Sequence, residues 1–213
     1  MSYTLVLGQK NYSSWSMRAW LLMRQLGLDF DIVTVPLYTD QSRATVQELG
    51  GETGLVPVLR AGDLVIWDTL AVFEHLHETH GGVWPADAAL RARARSLAGE
   101  VHSGFNALRA AMPVNTRARG RSAVLTPEAE ADIARVKEIW TTYPGRHGPW
   151  LLGDFGGADI LFAPVATRFQ TYGVALEGQS AAYQAQLLAH PLVSEWLALG
   201  AAEAGVIPAL EVG

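Results

Sequence analysis

The densest group of chemically useful side chains lies in Asn11-Tyr12-Ser13-Ser14-Trp15-Ser16-Met17-Arg18. It follows a leucine-rich, β-branched run, Tyr3–Leu7, that is ended by Gly8. It leads into apolar residues at helical spacing: Met17, Trp20, Leu21 and Leu28. The pattern predicts a strand, a hydroxyl-rich turn and a helix. A serine at such a junction has two uses. Its oxygen can cap the helix by accepting a main-chain N–H, or its hydroxyl can be donated to an anion held at the positive helix terminus. The carboxyl end of a strand in an α/β unit is a common place for ligands, and both uses stay open for Ser13 and Ser14. Asp68-Thr69 opens a second predicted helix carrying Leu70, Phe73 and Leu76. Both residues are good caps, and together they offer a carboxylate to a cation and a hydroxyl to an anion. In Leu55-Val56-Pro57-Val58-Leu59 a proline stands immediately before a strand, where it is tolerated. By itself an X–Pro bond there favours trans.

The elements that must position these residues change in texture along the chain. Strands are expected at Tyr3–Leu7, Phe30–Val35, Val58–Arg60 and Leu64–Trp67, the last two joined across Ala61-Gly62-Asp63. Helices are expected over 14–27 with Gly27 as C-cap, weakly around Ala44–Leu49, and from Asp68-Thr69 onward. The linker-like stretch Gly81-Gly82-Val83-Trp84-Pro85-Ala86-Asp87 follows, and beyond it strand signals almost vanish. Ala88–Met112 reads as one long helix stopped by Pro113, and Thr126-Pro127-Glu128 as a strong helix start. Asp159–Tyr172, with Pro164 predicting a kink, then Ser180–Leu188 and Pro191–Ala202 complete the set. The expected architecture is an α/β domain over residues 1–81 and an all-α domain over residues 87–213.

Composition narrows the function classes. With 213 residues, 49% hydrophobic and 17% charged, the chain is an ordinary globular one able to bury a core. A net charge of −5 argues against a nucleic-acid partner. The absence of cysteine removes disulfide frameworks, thiolate zinc sites, CxxC redox motifs and a cysteine nucleophile. No run approaches the ~18 apolar residues of a membrane span, and the start of the chain lacks signal-peptide character, so a cytoplasmic protein is expected. Glu74-His75-Leu76-His77-Glu78-Thr79-His80 is rich in ligand types, with His77 and His80 on one helix face. It lacks thiolates and a complete third ligand on that face, and no metal is expected. Arg18, inside the first helix, is expected to form a structural ion pair.

The order of elements and the three motifs together resemble the cytosolic glutathione transferases over nearly the full length. That family has a thioredoxin-like N-terminal domain (βαβαββα) and an all-helical C-terminal domain. The Ser-Ser-x-Ser-x-Arg pattern of Ser13, Ser14, Ser16 and Arg18 is similar to the zeta-class signature, with Trp15 where zeta enzymes carry cysteine. The string Lys10–Arg18 looks like a bacterial subgroup. The resemblance implies glutathione as co-substrate, without a metal, and a serine hydroxyl donated to its sulfur. Ser14 matches the catalytic serine of theta- and delta-type enzymes and Ser13 that of zeta-type enzymes; Ser14 is placed first. It further implies a cis Val56–Pro57 bond, with Val56 pairing its main chain with the cysteinyl part of glutathione. Asp68 and Thr69 would hold the γ-glutamyl end. Tyr12, His102, Phe105, Arg109 and Arg117 are weaker candidates for a second-substrate pocket, each with a plain core or surface reading. Asp159 corresponds to a capping-box acid that serves folding. The implied activity is conjugation or isomerisation of a small electrophile by a homodimer without nucleic-acid or membrane partners. The alternative is a non-catalytic glutathione-binding or regulatory protein of the same fold. The hydroxyl junction and the acid–hydroxyl pair favour the enzyme.

Overall fold

A computed structural model describes residues 2–213 of the chain. Strand β1 (Tyr3–Leu7) is central: it pairs in parallel with β2 (Phe30–Thr34) and antiparallel with β3 (Val58–Ala61), which pairs antiparallel with β4 (Leu64–Trp67). The sheet order is β2-β1-β3-β4. A parallel pair needs a crossover, and helix α1 (Ser14–Gln25) supplies it. Because strand side chains alternate, β1 feeds two cores. Leu5 and Leu7 join the main core with α1 and α3 (Thr69–His80), while Val6 joins Val58, Val35 and Val46 of α2 (Ser42–Glu48) in a small valine cluster. Gly27, at φ +66°, ends α1 in the left-handed conformation that its position predicted, its N–H returning to the Arg24 carbonyl at 3.1 Å.

Beyond α3 the chain is helical: α4 (Ala88–Ser103), α5 (Asn106–Ala111), α6 (Pro127–Thr142), α7 (Gly157–Thr171), α8 (Gly178–Ala189), α9 (Pro191–Ala201), and a 3-10 turn at Pro208–Leu210. Among the described residues no helix is long and apolar enough to cross a membrane. The expected α/β sheet followed by an all-helical part is thus what the chain forms. The single helix expected over Ala88–Met112 is instead two. A side chain on Gly104 would put its Cβ 2.7 Å from the Glu100 carbonyl, and Phe105 takes a left-handed φ of +57°. The break turns the Phe105 ring into the core against Phe162, centroids 6.4 Å apart. Arg109 then caps the freed carbonyls at the end of α4, donating to Gly104 O at 3.2 Å and to Val101 O. Periodicity could not reveal this, because both pieces keep helical apolar spacing.

Helix α7 runs through the middle of the helical part, with all but one of its side chains, Gln170, buried. Trp140 of α6 meets Phe162 and Phe169 of α7 and Tyr183 of α8, with centroids 6.1, 5.3 and 5.4 Å away. Asp159 secures the start of α7. One carboxylate oxygen accepts from Gly156 N–H at 3.1 Å; the other accepts from Leu151 N–H at 3.1 Å and from the Tyr183 hydroxyl at 2.8 Å. Gly156 has no side chain to complete the capping box, so only the acid's half is built.

Burial outweighs these three donors and raises the Asp159 carboxyl from 3.8 to about 6. The folded chain therefore holds a proton that the unfolded chain releases between those values. This contribution to stability is complete at low pH and is lost as pH rises through the window. Comparison with Asp159→Asn isolates it. In chemical denaturation from pH 4 to 7, wild-type stability relative to the asparagine variant should fall with rising pH, by up to about 3 kcal/mol. A flat difference would show that the acid is not buried as described.

Candidate functional site

A cleft of about 790 Å³ opens where the N-termini of α1 and α3 face the helical part, a size suited to a small ligand. Ser13, Ser14, Val56, Pro57, Asp68 and Thr69 all line it, as do Tyr12, His102 and Arg109. Two expected wall residues do not. Phe105 is a core residue, consumed by the α4–α5 break. Arg117 donates to the Tyr12 hydroxyl at 2.8 Å and to the Gly205 carbonyl at 2.9 Å, and so clamps the C-terminal segment.

The two uses left open for a serine at this junction are divided between neighbours. Ser13 is the N-cap of α1: its oxygen accepts from Ser16 N–H at 3.2 Å, and its hydroxyl donates to Ser16 Oγ at 2.7 Å. Ser16 Oγ also accepts from Gly8 N–H at 2.9 Å, which ties the turn back to the end of β1. Ser14 Oγ accepts from Arg168 Nη2 at 3.4 Å. Among the described residues its hydroxyl donates to nothing, and it stands on the cleft at the positive end of α1.

On the facing wall, the Val56–Pro57 bond is cis. The Val56 N–H and C=O make no hydrogen bond among the described residues, leaving one extended peptide edge open to a partner. Asp68 caps α3, one oxygen accepting from Leu70 N–H at 2.8 Å and Ala71 N–H at 3.4 Å. Its other oxygen lies 3.2 Å from His102 Nε2 on α4. Asp68 does this at φ +74°, a backbone that costs a non-glycine residue about 1–3 kcal/mol and is typical of functional positions. Thr69 follows it, buried at the helix N-terminus.

Three arginines gather beneath the cleft; Arg109 and Arg168 line it, and Arg109 has the Asp132 carboxylate nearby. Among the described residues Arg18 makes no ion pair, contrary to expectation. Its Nε donates to the Leu161 carbonyl at 2.9 Å, and both of its Nη atoms are buried without a partner. Burial first, then the Arg109 and Arg168 charges, hold its pKa well below the usual arginine value. Burial lowers Arg109 as well, and burial together with the Arg109 charge brings Arg168 down to about 9. Trp15 sits among them, its ring 4.4 Å from the Arg18 guanidinium carbon and 4.9 Å from that of Arg109, with the His102 ring edge-on at 5.2 Å. Arg168 was not singled out from the sequence, although a signal exists: a helix apolar on every side must be buried, and so must an arginine within it. At the mouth, the Tyr12 hydroxyl is donated to Glu211, which also accepts from Asn115 Nδ2 at 3.0 Å and pairs with Arg117 and Arg121. The Tyr12 bond foremost, with the two arginines behind it, keeps the Glu211 carboxyl below its usual range. Among the described residues no three His, Asp or Glu side chains form a metal-holding group; His80 is hydrogen-bonded to the Tyr3 hydroxyl at 2.8 Å.

The division between the serines has a measurable consequence. Ser13→Ala should cost about 1 kcal/mol in urea denaturation, the value of an N-cap. Ser14→Ala leaves that cap in place and removes the acceptor of Arg168 Nη2 instead, so amide hydrogen exchange in the first turn of α1 should speed up in Ser13→Ala and not in Ser14→Ala. Equal acceleration in both would mean that both hydroxyls serve the helix.

Residues 12–79 match the family described as glutathione S-transferase, N-terminal domain. A probable maleylacetoacetate isomerase of Caenorhabditis elegans is 32% identical over 97 residues, 45% of this chain and 44% of that protein, so the match spans less than half the length of the curated relative. Among solved structures, a glutathione transferase homologue from Burkholderia GL BGR1 with bound glutathione superposes with a TM-score of 0.73 at 25% identity, covering 95% of this chain and 100% of that one. A bacterial maleyl pyruvate isomerase, a zeta-class glutathione transferase, gives 0.70 at 19% identity over 95% and 100% of the two chains, a likeness of fold. The sheet, the helical part and the matched N-terminal segment agree: residues 12–79 carry the glutathione S-transferase N-terminal domain, and the chain as a whole shares the glutathione transferase fold.

Proposed function

We propose that this protein binds glutathione in the cleft and activates its thiol for conjugation to, or isomerisation of, a small electrophile. The observation that carries the reading is the free Ser14 hydroxyl at the N-terminus of α1, beside a serine already committed to the cap. A free thiol with pKa ~8.5 is only slightly ionised at neutral pH. A positive helix end and one donated O–H both favour the thiolate, and Ser14 needs to donate only a hydrogen bond, keeping its proton. Val56 pairs its open main chain with the cysteinyl unit. Asp68 faces the γ-glutamyl ammonium and Thr69 its carboxylate. Residues 1–81 act as the glutathione domain, and residues 87–213 supply the electrophile side. His102 and Arg109 form that wall, and Arg168, with no carboxylate against it among the described residues, suits an electrophile carrying a carboxylate. The similarity to a maleylacetoacetate isomerase supports a zeta-like assignment and double-bond isomerisation as one outcome. The working form is a cytoplasmic homodimer that needs no metal.

The test follows glutathione binding, thiolate absorbance and conjugation of an aryl halide. Wild type should bind glutathione at millimolar concentration or below. Ser14→Ala should bind it comparably but lose about 10²-fold in rate, the cost of one donor to a developing anion. Ser13→Ala should keep its rate within a few-fold. Absence of binding by wild type sinks the reading. Binding with no reaction toward any electrophile would favour a glutathione-binding or regulatory protein instead.

A further inference from the structure

The most unusual group in the molecule is Arg168, a guanidinium 5% exposed on a helix that is otherwise almost wholly apolar. Among the described residues no carboxylate is in ion-pair contact with it. Burying a charge in that way is costly unless every donor is well used. Nε donates to the Met112 carbonyl at 2.8 Å and Nη1 to the Pro164 carbonyl at 3.4 Å. These two bonds fix the plane of the guanidinium, and the plane carries Nη2 to Ser14 Oγ at 3.4 Å.

We infer that Arg168 is a positioning residue for Ser14, fixing the hydroxyl rotor so that its hydrogen points into the cleft toward the bound sulfur. The inference rests on the reading of the cleft as a glutathione site. It follows from what the two groups can do. A guanidinium is only a donor, and a serine hydroxyl has one hydrogen and two lone pairs. While Arg168 fills a lone pair, the hydrogen cannot turn toward Arg168, and no other acceptor among the described residues holds it. Ser13 shows the contrast: its hydrogen is spent on Ser16 Oγ. A donor already polarised by a charged neighbour gives the stronger bond to an anion. The charged and titratable groups bearing on Arg168 are Arg18 of α1, Arg109 of α5, Tyr172 after α7, and Tyr38 on the cleft rim.

The experiment is a double-mutant cycle on the full chain with glutathione as probe. Thiolate absorbance of the bound peptide is followed across pH in wild type, Ser14→Ala, Arg168→Gln and the double variant. Glutathione affinity and thermal melting are measured alongside. Arg168→Gln should still bind glutathione but raise the pKa of the bound thiol by about one unit, a tenfold loss of thiolate at neutral pH. In the Ser14→Ala background the same change should add almost nothing. Arg168→Lys keeps the charge, yet one nitrogen cannot serve both the Met112 carbonyl and Ser14. It should shift the pKa the same way by about half a unit, and it carries the test if the glutamine variant does not fold. An unchanged thiol pKa in the variants, or a shift that adds in full to that of Ser14→Ala, overturns the inference. The first outcome makes Arg168 purely structural; the second makes it a distant charge. Wild type that binds no glutathione overturns the cleft reading itself and this inference with it. Loss of thiolate in Ser14→Ala but not in Arg168→Gln overturns this inference alone.

Discussion

The seam between α1 and α7 is held by arginines that donate to main-chain carbonyls instead of pairing with acids. Arg18 reaches from α1 to Leu161, and Arg168 reaches from α7 to Met112 and back to Ser14. Beside these polar threads the packing is aromatic and apolar, with Trp20 of α1 against Trp196 of α9 at 5.4 Å. Carbonyl acceptors bring directionality without neutralising charge. The seam therefore stays rigid and electropositive together, a combination that an ion pair would not give. The serine side of the cleft takes its position from this seam, since α1 begins at Ser14 behind its cap Ser13 and α7 supplies Arg168 beside them.

The same arrangement explains the place of Trp15. An indole between two guanidiniums offers each cation a ring face, a stabilisation that requires no negative charge. A carboxylate there would have quenched the field at the N-terminus of α1. His102 completes the connection by touching Trp15 with its ring edge and Asp68 with Nε2. The N-termini of α1 and α3 are in this way linked through a residue of α4.

How much of this was legible from the sequence depends on the range of the interaction. Tyr3–Leu7, the Gly62-Asp63 turn and the Thr126-Pro127 helix start are local events, and local patterns fixed them. The hydroxyl turn and the Asp68-Thr69 pair were legible as candidates, and the structure sets both on one cleft. Their roles were not legible, because the partner of the Ser14 hydroxyl among the described residues, Arg168, lies more than 150 residues away in the chain. Arg18 was misjudged for a similar reason: an ion pair needs an acid from another element, and folding brings a carbonyl and two arginines instead. The break at Gly104-Phe105 escaped notice because a left-handed residue leaves no trace in apolar spacing. Arg117 looked like a free surface charge until Tyr12 and the segment after α9 folded onto it.

The clasp of Tyr12, Glu211 and Arg117 joins residues 199 positions apart in the chain. Its consequence is one of timing. On a ribosome, the turn with Ser13 and Ser14 emerges early, but its supporting arginine and the carboxylate closing its rim are made near the end of the stretch described here. A sheet domain that folds as it emerges would present its strand–helix junction to solvent, with Arg18 of α1 uncovered, until the later helices arrive. The setting around the two serines is thus completed late, and a chain that stops before α7 has the serines without Arg168 beside Ser14.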